Sequence, residues 1–271
     1  MVGRFASGCL SGAWLRFAEG RCAAGGAGAS GAALRDGELV RCTVLLLVAF
    51  AVAGCGGEGP TAADGTARLW VTRDRGSEVL VDTTVPAGQT LLRALRSEAT
   101  VTTRYGGAFV QSIDGIEGSL RRSEDWFWFI NGLAGDRSAV SYRLRDGDLA
   151  WWDYRDWSGD AETLEVVAGA FPEPFLHGYD GETRPAAVRY APGLRVGAER
   201  VARVLETDDV APEGTAIATN VNLFEFAAGA PHLTAALRSP GAGPSGAVRF
   251  SFAGPVEALL AGDFDRRFSS P

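Results

Sequence analysis

The chain has no lysine: all 26 of its basic residues are arginine, set against 33 acidic residues and a formal net charge of −7. An acidic chain without a basic run is a poor match for a phosphate backbone, so nucleic acid is not expected as a partner. Arginine used to the exclusion of lysine, beside abundant alanine and glycine, reads as codon bias, so arginine counts carry little functional information. Cysteine is confined to Cys9, Cys22, Cys42 and Cys55. Nothing after Cys55 can therefore form a disulfide or a thiolate metal site, and the body must be held by its apolar core. Only two histidines occur, His177 and His232, with no second ligand type at metal spacing. The chain also lacks a Gly-x-Ser-x-Gly elbow, a Cys/His pair and a phosphate-cradling Gly-Lys-Ser loop. The carboxylate pairs Asp208-Asp209 and Asp263/Asp265 sit in polar stretches and read as solvated. With no nucleophile or acid–base pair in view, no enzymatic activity is expected.

No apolar run is long enough to span a bilayer. Val44–Ala53, about ten residues after Arg41, suits the core of a signal peptide instead. Val52-Ala53-Gly54-Cys55 resembles a bacterial lipobox, which predicts cleavage before Cys55 and lipid on its sulfur. Gly56–Pro60 then reads as a flexible tether. Residues 1–39 are rich in Gly, Ala and Arg without a period and are expected to be disordered. Val40 reads as the true initiator, with 40–54 as the lipoprotein signal peptide and 55–65 as the tether. The expected location is the extracytoplasmic face of the cell membrane, lipid-anchored.

From Thr66 the pattern becomes regular. Ala67–Asp74 alternates, with Leu69 and Val71 on one face and Trp70 and Thr72 on the other. Arg75-Gly76-Ser77 turns the chain into Glu78–Val85, completing a hairpin. Thr90 is a fair N-cap for a short helix with Leu91, Leu92 and Leu95 on one side. Val101–Tyr105 and Phe109–Ile113 are short strands, Asp114-Gly115 is a turn, and Gly118–Ser123 reads as a loop. Trp126-Phe127-Trp128-Phe129-Ile130 is an apolar strand ended by Asn131-Gly132, the strongest short signal for a hairpin turn. Leu149–Tyr154 is the last strand. Hairpin, helix and further strands describe an α+β domain over 66–157 with one mixed sheet, a β-grasp pattern.

The ordered motifs Val85-Pro86-Ala87-Gly88, Tyr105-Gly106-Gly107, Ser112-Ile113-Asp114-Gly115, Trp126–Gly132 and Tyr142–Asp148 resemble the DUF4430 family. That family is similar to the C-terminal domain of transcobalamin and intrinsic factor. The resemblance covers about Ala67–Tyr154. It implies a β-grasp-like fold and the binding of a soluble ligand, which is cobalamin in the animal relatives, so cobalamin is a candidate ligand here. The chain shows no sign of the helical partner domain that completes the animal cobalamin site.

Alternation along the aromatic strand puts Trp126, Trp128 and Ile130 on one face and Phe127 and Phe129 on the other. Two readings stay open. In one, the Phe residues face the helix and a loop or the second domain covers the Trp face. In the other, the Trp face is open and stacks on a planar or carbohydrate-like ligand. The candidate ligand-binding residues are Tyr105, Trp126, Trp128, Asn131, Trp152 and Tyr154, although a turn accounts equally for Asn131. The functional expectation is a lipid-anchored binder of a small molecule, partnered by an uptake transporter. The alternative is an envelope adapter that uses the same aromatic patch on a protein or glycan.

Residues 160–271 are expected to form a smaller α/β domain of unassigned role. Glu162–Ala170, Ala187–Tyr190, Val221–Phe226 and Val248–Phe252 read as strands. Gly197–Glu206 reads as the best helix, Leu233–Leu237 as a helical turn, and Pro240–Gly246 as a loop.

Overall fold

The alternating segments at the start of the body pair as the sequence predicts. Thr66–Arg73 (β1) and Glu78–Pro86 (β2) form an antiparallel hairpin with a register shift at Val71/Thr72. The computed structural model describes residues 65–158 and 165–268. The leader, the lipobox, the tether and the first residues of the strand expected at Glu162–Ala170 lie outside the described residues.

Thr90 caps the following helix, Leu91–Glu98 (α1), its side-chain oxygen accepting from the Arg93 N–H. Leu91, Leu92, Ala94 and Leu95 are buried along one side. Val101–Arg104 (β3), Phe109–Ile113 (β4) and Ile116–Glu117 (β5) form a small antiparallel sheet. Glu124–Ile130 (β6) turns at Asn131-Gly132 into Leu133–Ala134 (β7), and Leu149–Asp156 (β8) closes the unit. The principal sheet runs β2-β1-β8-β6-β7, with β1 and β8 parallel at its centre and the other pairs antiparallel. This is the expected α+β, β-grasp-like arrangement, except that β3, β4 and β5 form a separate small sheet instead of joining the one mixed sheet expected. Asn131 and Gly132 both take positive φ, 50° and 77°, as a two-residue hairpin turn requires. A Cβ at residue 132 would also lie 2.8 Å from that of Ala170, so glycine serves both turn and packing.

The faces of the sheet are assigned oppositely to the covered-Trp reading. Trp126, Ile130, Ala150 and Trp152 join Leu69, Val71 and the leucines of α1 in one apolar cluster, with Trp128 packed against it. Phe129, Trp70 and Trp151 form a second cluster on the other face, with Phe127 at its margin, and Val167, Ala170 and Phe268 cover it. Trp126, Trp128 and Trp152 thus face the helix, and a segment from near the C-terminus seals Phe127 and Phe129 together with Trp70 and Trp151. Phe268 lies edge-on to Trp151 at 5.0 Å and to Phe129 at 5.5 Å. Burying each large ring removes about 150–250 Å², worth about 4–6 kcal/mol at ~25 cal/mol per Å². Such a gain holds both faces covered.

The rest of the chain builds a second five-stranded sheet from Ala186–Tyr190 (β9), Val210–Pro212 (β10), Asn222–Ala227 (β11), His232–Leu237 (β12) and Val248–Ala253 (β13). Its order is β10-β9-β11-β13-β12, parallel except for the β12 edge. Helix Arg195–Val204 (α2) makes the crossover from β9 to β10, and the short helix Val256–Leu260 (α3) follows β13. Two local expectations fail here. Leu233–Leu237 is an edge strand rather than a helical turn, because pairing with β13 outweighs the helix preference of Ala235-Ala236. In 165–170, Val166 makes only an isolated bridge to Leu133, and Ala168–Ala170 is a 3₁₀ turn. Asp209 is not merely solvated either, since it pairs with the buried guanidinium of Arg189 at 2.8 Å. One apolar cluster runs from the first sheet through Leu133, Val166 and Phe175 to Val188, Phe224 and Phe250 of the second.

Candidate functional site

Strand β6 pairs with β8 along its whole length, but β7 covers only Phe129 and Ile130 on the other side. The Asp125–Trp128 stretch is therefore left beside β4 rather than under a partner strand. Between them lies a cleft of about 330 Å³, lined by Trp126, Trp128 and Trp152 with Phe109, Val110, Ala139 and the charged Asp125 and Arg137. Ligand clefts run from about 300 to 1,000 Å³, so this one takes a small molecule or a protruding part of a larger one.

Sequence alternation sets the three tryptophans on one face, and the sheet register brings them together. Trp128 and Trp152 are direct cross-strand partners with ring centroids 6.4 Å apart, and Tyr142 lies 5.9 Å from Trp128 on another side. Trp128 is the half-buried member, whereas Trp126 and Trp152 are 6% and 2% exposed. The open tryptophan face of the ligand reading is thus replaced by a walled cleft. Gly135 lets Trp128 lie flat, since a Cβ there would come within 2.3 Å of its ring atoms. The Trp126 indole N–H donates to the Ile116 carbonyl at 2.9 Å. The Trp152 indole nitrogen is buried and has no hydrogen-bond partner, an uncommon cost for a donor withdrawn from water.

Two charges stand in the wall. Arg137 donates to Asp136 and Asp180, each at 2.8 Å, and lies over the Tyr142 and Tyr179 rings. The bond to Asp136 holds its pKa well above the ordinary arginine value. Asp125 is half-buried and accepts from the Trp126 N–H at 2.8 Å; burial raises its pKa, and that hydrogen bond offsets part of the rise.

The other three candidates lie outside the cleft. Tyr105 is 82% exposed at a positive φ of 52°, three residues before Ala108 on the cleft's margin. Tyr154 is buried, and its hydroxyl donates to the Glu117 carbonyl and the Glu124 carboxylate, both at 3.0 Å. Asn131 is fully buried. Its Nδ2 donates to Asp148 at 2.9 Å and to the Gly178 carbonyl at 2.6 Å, while its Oδ1 accepts from the Leu149 N–H at 2.7 Å. Asp148 in turn accepts from the Tyr142 hydroxyl and the Arg145 N–H. Asn131 is thus the hub of a polar network tying β6 and β8 to the 178 loop. Phe109, Val110, Asp125 and Arg137 also line the cleft, with Phe127 and Phe129, and none of them is among the candidate ligand-binding residues. Only the placement of β4 against β6, from different sheets, brings them there.

A second cleft of about 400 Å³ opens on the other sheet beside Arg189, Glu225, His232 and Ser251. Two of its charges are answered within the protein, Arg189 by Asp209 and Glu225 by Arg249. Among the described residues no group of three metal-ligating side chains converges.

A mixed β-grasp sheet with an aromatic cleft at its β6 edge is the class of domain that this geometry defines. Residues 88–156, from just before α1 to the end of β8, match the family model described as Domain of unknown function (DUF4430). Haptocorrin in complex with Cbi is similar at 19% identity and a TM-score of 0.29, over 33% of this chain and 24% of that one. A Ruminococcus gnavus protein proposed to bind metal is similar at 17% identity and a TM-score of 0.30, over 34% of this chain and 98% of that one. The chain thus spans about a quarter of the haptocorrin structure, and at these scores neither likeness bears on the ligand. No curated protein matches the chain.

Proposed function

We propose that this chain is a lipid-anchored extracytoplasmic binding protein that captures a small molecule in the aromatic cleft beside β6 and presents it to an uptake transporter. The observation that carries the reading is the cleft itself. Three tryptophans wall a space large enough for a ligand, on a sheet whose faces are otherwise packed. Aromatic walls with few polar groups are the usual lining of small-molecule sites, and the rigid sheet holds them in place. A corrinoid ligand of the kind the family resemblance suggests would insert an edge or a side chain, not its whole ring. Lipid on Cys55 would keep the site near the membrane and raise the ligand's effective concentration there; stable anchoring takes more than one acyl chain. The reading is of a binder rather than an enzyme.

The test is calorimetric titration of the folded protein with cobinamide, cobalamin and a panel of small aromatic compounds. Trp128→Ala should weaken whichever compound binds by about 1–3 kcal/mol, with the circular dichroism spectrum unchanged. Equal affinities for wild type and variant, both folded, would remove the cleft as the site.

A further inference from the structure

We propose that the ligand of this cleft is an organic cation, an ammonium or quaternary ammonium group on an apolar body, with Asp125 as its counter-charge. The proposal rests on the binding reading above and names the ligand class for the same site.

Two features of the wall converge on it. Phe109 and Trp128, from β4 and β6, present ring surface to one space that the buried Trp126 and Trp152 back. The faces of such rings are electron-rich and attract a cation within about 6 Å, most strongly once water is excluded. The second feature is a carboxylate with no cation of its own. Asp125 is half-buried and lines the cleft. Among the described residues it has no ion-pair partner, and its one hydrogen bond comes from the Trp126 N–H. Burial raises its pKa, and no cationic side chain offsets that. A carboxylate drawn from water and left without a partner is costly, and a bound cation would relieve the cost.

The arginines nearby do not fill this role. Arg137 is shared between Asp136 and Asp180. Arg155, opposite Asp125 in the β6–β8 register and on the same face of the sheet, lies over the Phe127 ring at 4.4 Å and makes no ion pair with Asp125. Both show rings beside this cleft and on this sheet accepting a cation, Arg137 over Tyr142 and Arg155 over Phe127. An anionic ligand would instead meet Asp125 with no uncommitted arginine to hold it. The net charge of −7 also favours the approach of cations.

The experiment titrates the full chain by calorimetry with benzyltrimethylammonium, its neutral carbon isostere neopentylbenzene, and phenylacetate. The cation should bind at least about tenfold more tightly than the isostere, more weakly as salt rises, and phenylacetate weakest. Asp125→Asn should lower the cation's affinity about tenfold and leave the isostere's unchanged. Trp128→Ala should weaken both. If the isostere or phenylacetate matches the cation, or Asp125→Asn leaves the cation's affinity intact, the cation assignment is overturned; the cleft survives as a site provided that binding still depends on Trp128. If none of the three binds, the cation assignment falls, and the corrinoid titration decides the cleft separately. Asp125→Ala, with the same salt series, repeats the comparison should the asparagine variant fold poorly.

Discussion

Replacing Asn131 by alanine should cost about 4–6 kcal/mol of stability, out of the 5–15 kcal/mol typical of a folded protein. Three hydrogen bonds disappear from a fully buried site. The two to neutral backbone groups are worth about 1 kcal/mol each, and the one to the Asp148 carboxylate about 1.5–3. The Leu149 N–H and the Gly178 carbonyl then stay buried without that partner, so the loss belongs at the upper end of such values. Alanine at a φ of 50° adds about 1 kcal/mol of backbone strain. Urea unfolding followed by tryptophan fluorescence measures the sum. At an m-value of about 3 kcal/mol per molar, it moves the midpoint by more than ~1 M. Asn131→Gly separates the two contributions, because glycine accepts the turn but makes none of the bonds, so it should recover only about 1 kcal/mol. A loss below ~1 kcal/mol for the alanine variant, or wild-type stability for the glycine variant, would refute the account of Asn131 as a structural hub. Its folded fraction should keep the wild-type affinity of the cleft, which a direct ligand contact would not.

Glu173 and Cys55 supply two further tests. Glu173 is buried, and burial raises its pKa despite the opposing contacts from His177. A raised carboxylate contributes stability that is complete below its unfolded pKa of about 4.3 and is lost as pH rises through the folded value, because the native state binds the extra proton. Glu173→Gln should therefore gain on wild type as pH rises from about 4.3 through the folded value and level off above it; a stability difference that is flat throughout or opposite in slope would contradict the assignment. Cys55→Ser should move the protein from the membrane fraction to the soluble fraction, and an unchanged membrane fraction would sink the lipid-anchor proposal.

The local plan of the first sheet was legible in the residues, since its hairpins, turn and capped helix are short-range features. Thr90 before three leucines specifies its helix by spacing and a cap alone, and Asn131-Gly132 specifies a turn because few other pairs tolerate its backbone. Alternation likewise fixes that Trp126 and Trp128 share a side, whatever the strand packs against. Which side turns inward is a different matter. Period two is blind to it, and the outcome depends on α1 meeting one face while Phe268, far along the chain, seals the other. The same limit hid β12, whose alanines form a strand only because β13 offers an edge. It hid the cleft as well, which exists where β7 stops short and β4 comes alongside β6. Strand, turn and cap follow from neighbours along the chain. The walled space beside Trp128 follows from neighbours across it, and only the packed tertiary structure brings those together.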